Sequence, residues 1–202
     1  ALYQAKVDEI WNELNRASLT NQDASTIRNS NLFKYSPFNT LTPEQEQVSQ
    51  EVLYNAIDCL ESGETGTSVL SGKAGTGKSI VLIHMMYTLV SAMNVTYNDE
   101  DLTPDEQLEL GIRISLSNKI RDYVKRHGNL KIAFVVPMTS IRKTFKAVFS
   151  ASKGTGLKSN MVMGPQDVLK EDYDIVFVDE SHRLARRKGI TSYGSFDEAC
   201  AR

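Results

Sequence analysis

The chain has 202 residues, 41% of them hydrophobic and 24% charged, which is enough apolar material for a buried core and excludes a disordered or fibrous polymer. Its net charge of −2 and pI near 6.0 give no overall basic footprint, so a polyanionic partner would have to be met by a local patch. Cys59 and Cys200 are far apart and outside any CxxC spacing, which argues against a disulfide framework or zinc site and for a reducing, cytoplasmic setting.

Tyr3, Val7, Ile10, Trp11 and Leu14 recur at helical steps, which predicts an amphipathic N-terminal helix packed on the main body. Residues 20–40 are polar and aperiodic, a surface connector anchored by Phe33, Tyr35 and Phe38, so residues 1–40 are expected to form an extension and residues 41–202 the main domain. The chain begins without Met, which suggests a trimmed piece. A helix should start at Thr42-Pro43, with Gln45 completing a capping box and Val48, Val52, Ala56, Ile57 and Leu60 forming its buried face. After a loop at 62–67, Ser68-Val69-Leu70 reads as a short strand entering a glycine-rich segment. The following helix, about Lys78 to Met93, is apolar almost all round, as expected beneath a sheet. Its apolar stretch is too short to cross a bilayer, and no membrane association is expected. Residues 94–109 read as an exposed acidic insertion, and a helix should run from Leu116 to Arg126. The apolar run Lys131 to Val136 predicts a strand buried on both faces, followed by a helix over 141–150, a short strand at 160–163 and a strand at 175–178. Strands alternating with helices imply an α/β fold with a mostly parallel sheet covered on both sides.

Gly72-Lys73-Ala74-Gly75-Thr76-Gly77-Lys78-Ser79 matches G-x-x-x-x-G-K-[ST] between an apolar run and a helix. A triphosphate has to be wrapped by backbone N–H groups at a helix N-terminus, and bulky side chains would stand in the way. Hence Gly72, Gly75, Thr76 and Gly77 are expected to form the cradle, Lys78 to reach the β- and γ-phosphates, and Ser79 to ligate Mg²⁺. Four apolar residues then deliver Asp179-Glu180 to the carboxyl edge of the sheet, with Asp179 expected on Mg²⁺ and Glu180 on the attacking water. Glu180 directly after Asp179, and the lack of a D-x-x-G or a correctly spaced N-K-x-D, favour ATP over GTP.

Asp179-Glu180-Ser181-His182-Arg183-Leu184 resembles the DEAH-type box of helicases. Together with the segment from Ser71 to Met86, it makes the chain from about Leu41 onward similar to the schlafen group 3-like DNA/RNA helicase domain family, within superfamily I. That resemblance implies a RecA-like, three-layer first motor domain that hydrolyses ATP and works on single-stranded DNA or RNA. It further implies that Gln45, in Leu41-Thr42-Pro43-Glu44-Gln45, reads adenine, although the capping box accounts for Gln45 equally. Thr139, Ser140 and Arg142 would touch a nucleic-acid backbone, with helix capping the competing role for the two hydroxyls. His182 would couple the two sites or else be a core histidine, and Arg183, with Arg186, Arg187 and Lys188, would grip phosphates or form a solvated basic end. Such motors need a second RecA-like domain with an arginine finger, for which this chain has no room after the acid pair. Weak turnover is therefore expected of it alone. The rival readings are a P-loop kinase, which should show an arginine-rich lid, and a nucleotide-gated switch, against which Glu180 speaks.

Overall fold

In the computed structural model, residues 29–94 and 104–184 are described, with isolated positions before residue 29 and with the backbone alone over 104–113. The short helix α1 (Asn31–Lys34) is capped by the Ser30 hydroxyl, which accepts from the Phe33 N–H. It lies inside the expected connector. Tyr35, just after it, packs edge-on against Phe145 and so joins the core, whereas Phe33 is 48% exposed and is not an anchor. Phe38 is exposed too, but its ring meets Tyr87 at a centroid distance of 5.5 Å. Of the N-terminal stripe only Ile10 is described, and it is exposed; Tyr3, Val7, Trp11 and Leu14 lie outside the described residues.

Helix α2 (Pro43–Ser62) opens with the predicted capping box: Gln45 N–H donates to Thr42 Oγ1 and Thr42 N–H to Gln45 Oε1. It ends at Gly63, whose φ of 69° is open to glycine without strain. Its buried line is Ser49, Leu53 and Ile57, with Val48, Val52 and Leu60 half-buried, so the face turns slightly from the expected one and centres on Leu53.

Ser68-Val69-Leu70 is not a strand. Leu70 packs on the core, but Val69 is 83% exposed. Both edges of β1 are taken by other strands, and the outer edge of β3 has no partner among the described residues. β propensity over three residues cannot hold a strand without a neighbour to pair with.

Helix α3 (Lys78–Asn94) matches expectation and buries seven side chains from Val81 to Ala92 against α2 and α4. Helix α4 (Pro104–His127) starts twelve residues before the expected Leu116. Pro104 at a first helical position followed by Asp105 and Glu106 is a helix-start signal that the acidic composition masked. Residues 95–103 of the expected insertion lie outside the described residues.

Strand β1 (Ile132–Val135) is buried throughout; it leads through helix α5 (Thr139–Ala151) to β2 (Val162–Met163), and the chain then returns past β1 to β3 (Ile175–Val178). The sheet is parallel, order β2-β1-β3, with Phe134 opposite Val162 and Phe177. Because parallel crossovers are right-handed, reversing direction across β1 puts the two connections on opposite faces. Helices α2 to α5 meet Phe134, Val136 and Phe177 in the larger core, while Ala133 and Val135 face Val168 and Leu169 from the single 3₁₀ turn Val168–Lys170. Among the described residues, the third layer is thus that one turn. Within them no helix is long and apolar enough to cross a membrane.

Phe134 sits fully buried between Phe145 and Phe149. Phe134→Ala should cost about 3–5 kcal/mol, read by denaturant unfolding. A loss below about 1 kcal/mol would show that this layer is not the core.

Candidate functional site

Parallel strands carry whatever follows them to one edge, and here β1 and β3 deliver Pro137 and Asp179 to the same end of the sheet. The glycine-rich segment reaches the same end, where Ser79 at its close meets Asp179. Gly75 and Gly77 have φ of 81° and 79°, a region costly for a side-chain-bearing residue, and a Cβ on Gly77 would lie 3.0 Å from Gln45 Nε2. The turn they make ends on the Gly77 carbonyl, which accepts from the N–H groups of Ile80 and Val81 and starts α3. The N–H groups of Lys78 and Ser79, in the first turn, have no intrahelical acceptor and point out of the helix end.

Lys78 folds back over this segment, its ammonium donating to the carbonyls of Gly72 and Lys73, both at 2.9 Å. Thr76 Oγ1 donates to the Lys73 carbonyl as well. Gln45 reaches in from α2: its Oε1 serves the capping box, and its Nε2 donates to the Thr76 carbonyl at 3.0 Å. The capping role and a place beside the glycine-rich segment therefore belong to the same side chain. The sequence signals the first and not the second, because 31 residues separate Gln45 from Thr76.

Ser79 Oγ donates to Asp179 Oδ2 at 2.9 Å, and Asp179 Oδ1 accepts from the Glu180 N–H. Asp179 is only 5% exposed, and its own N–H continues the β1 ladder to the Val135 carbonyl. Burial pushes its carboxyl above the usual range, with the neighbouring Glu180 charge adding to the rise, while the Ser79 and Glu180 hydrogen bonds and Lys78 pull the other way.

Glu180 is the single non-glycine residue with positive φ among the described residues, at 53°. A left-handed glutamate costs about 1–3 kcal/mol and persists only where its surroundings demand it. The kink ends β3 and turns the chain into the 3₁₀ turn Ser181–Arg183, so that His182 Nε2 lies 3.2 Å and Arg183 Nε 3.8 Å from Glu180 Oε2. His182 is exposed, which rules out the core-histidine alternative. Arg186, Arg187 and Lys188 lie outside the described residues.

Thr139 and Ser140 are exposed at the start of α5 and do not cap it: the N-cap is Met138, with no side-chain capping bond. Arg142 is mostly covered. It donates to Thr139 Oγ1 at 3.1 Å, lies 3.9 Å from Asp167 Oδ2, and packs so tightly on Gly164 that a Cβ there would meet Nη1 at 2.1 Å. Asp167, which sequence reasoning missed, also accepts from Lys170 and from the Gly164 N–H, and chiefly the Lys170 bond holds its carboxyl below the usual range. A legible signal existed: Asp167 is the first acidic residue after Asp122.

Parallel strands with helices packed on them, and charged side chains gathered at their carboxyl edge, define an α/β protein compatible with the RecA-like architecture. The chain belongs to the Schlafen group 3, DNA/RNA helicase domain family, whose model matches residues 66–199 and so spans both the glycine-rich segment and the acid pair. No curated protein and no solved structure matches it. Family membership supports a function related to nucleic-acid helicases.

Because burial raises the Asp179 carboxyl, its charged form opposes folding: the protein loses stability as pH rises through that raised value and recovers it below. Asp179→Asn, which keeps the shape without the charge, should raise Tm at neutral pH, and raise it less in acid. A lower Tm in calorimetry would mean that the fold requires the charge.

Proposed function

We propose that this chain binds Mg·ATP at the carboxyl edge of its sheet and hydrolyses it as part of a nucleic-acid-dependent motor. The observation that carries the reading is the Ser79–Asp179 hydrogen bond, which joins the first turn of α3 to the end of β3. A hydroxyl and a buried carboxylate, both hard oxygen donors, suit Mg²⁺, which takes few protein ligands and relies on phosphate and water for the rest. Mg²⁺ bound by Ser79 and Asp179 supplies charge neutralisation for the polyphosphate.

The chain's own groups do the rest. Lys78, now on the carbonyls of Gly72 and Lys73, swings to the more strongly charged phosphate oxygens. The free N–H groups of Lys78 and Ser79 and the positive end of α3 receive the anion. Glu180 orients the attacking water and takes its proton once its carboxylate leaves His182 and Arg183. Gln45 keeps one amide hydrogen and one lone pair unspent, enough to meet the edge of an adenine. Thr139 and Ser140 offer hydroxyls to a nucleic-acid backbone. Arg142 acts behind them by holding Thr139 and the Gly164 turn, which is a different role from the direct contact expected of it.

Lys78→Ala should weaken ATP binding at least about tenfold, since a charge-assisted contact carries about 1.5–3 kcal/mol; unchanged affinity in calorimetry would overturn the reading. With Glu180→Gln, ATP should bind as before while steady-state hydrolysis falls about 10²- to 10⁴-fold. Equal turnover in phosphate-release assays would leave Glu180 a structural acid.

A further inference from the structure

Between Asp122 and Asp167 the chain contains eight of its 23 Lys and Arg residues and none of its 25 acids, in a protein whose net charge is −2. Three of the eight are taken up in ion pairs: Lys125 with Asp122, Arg126 with Glu61, and Arg142 with Asp167. Lys143, Lys146, Lys153 and Lys158 are exposed and have no ion-pair partner among the described residues.

Their arrangement is directional. At 3.6 residues per turn, Thr139, Lys143, Lys146 and Ser150 fall within about 60° of one another around α5. All four are exposed, while Phe145, Val148 and Phe149 on the other side are buried. Lys153 follows just past the C-cap Ser152, and Lys158 shares a shallow depression with it beside Gly154 and Gly156. From Lys143 to the end of α5 at Ala151 the rise is about 12 Å, with Lys153 just beyond, which covers about three to four base-pair rises of 3.4 Å along a duplex axis.

We propose that the outer face of α5, from Lys143 through Lys146 to Lys153 and Lys158, is a docking surface for the phosphate backbone of a nucleic-acid duplex. It rests on the nucleic-acid reading above and extends it away from the carboxyl edge along the length of the helix. Charge complementarity identifies the partner as a polyanion. The lack of exposed aromatics selects the duplex: single strands are held largely by bases stacked on exposed rings, whereas the exposed side chains of this face are Thr, Ser, Ala and Lys, and Phe145 and Phe149 are buried, Phe149 and Leu157 only flooring the depression beside Lys153 and Lys158. Small hydroxyl and methyl side chains between the lysines leave room for a backbone to lie close, and nothing on the face reads bases.

The 202-residue chain and its Lys146→Gln/Lys153→Gln/Lys158→Gln variant would be titrated with a blunt-ended duplex, a polythymidine single strand, anionic phosphatidylserine vesicles and ATP, each polyanion at several salt concentrations. The surface predicts duplex affinity at least about tenfold weaker in the variant and a slope of log K against log salt smaller by about 2.7, at about 0.9 per lost phosphate contact. Single-strand affinity should change less, and ATP affinity not at all. Equal duplex affinity and slope in the two proteins would overturn this surface while leaving the nucleotide site intact. Binding of vesicles but not duplex by the parent, or ATP binding without any duplex binding, would also overturn it alone. Failure to bind either ATP or duplex would overturn both readings.

Discussion

A hydroxyl in the first turn of α3 and a carboxylate at the end of β3, 100 residues apart in sequence, meet at 2.9 Å, and the rest of the arrangement depends on that contact. It requires the glycine-rich turn to finish at Ser79, α3 to lie beneath the sheet, and β3 to run parallel to β1 so that both strands end at one edge. Each condition has a local cause. Positive φ at Gly75 and Gly77 makes the turn, an all-round apolar surface seats the helix, and a right-handed return past β1 orients the strand. The carboxylate sits in poor solvation as a result, which raises its proton affinity and makes it receptive to a cation.

Around that contact the charged groups satisfy one another. Lys78 lies on its own loop carbonyls, Glu180 is flanked by His182 and Arg183, and Arg142 is held between Thr139 and Asp167. Such interactions are each worth only about 0–1.5 kcal/mol net, so ligands bearing full charges can displace them at small cost. The left-handed backbone at Glu180 is different in kind: it is strain held by the surrounding fold, and it turns the chain from β3 into the 3₁₀ turn Ser181–Arg183. Arg142 shows how a basic residue near a candidate interface can serve as a strut, its position fixed by the bare glycine beneath it. The lysines further along α5 are of the opposite type, with no acid on their own element to answer them.

Patterns confined to a few residues were readable in advance. The Thr42 capping box, the glycine-rich turn, the apolar run of β1, the parallel α/β class and the four residues leading to Asp179-Glu180 all rest on local periodicity or local backbone demands. Where reading failed, the deciding partner was distant or the local signal was weak. Ser68-Leu70 has strand-like residues but pairs with none of the three strands. The acidic stretch before Leu116 hid the start of α4, although Pro104 with two acids marked it. Tyr35 was legible as apolar, yet only Phe145 made it core.

By itself, then, the sequence determined three of the four expected strands and the main helices apart from the start of α4, where the glycines and the acid pair fall, and which family the chain resembles, since these follow from backbone preference and side-chain type over short windows. Only the tertiary structure decided that Gln45 touches the Thr76 carbonyl, that Ser79 finds Asp179, that Arg142 turns inward while Lys146 and Lys153 face solvent, and that Glu180 adopts a left-handed backbone. The physical reason is that each of these is settled by the mutual placement of elements separated along the chain, or by a bend that isolated glutamates avoid, and no short stretch of residues contains that information.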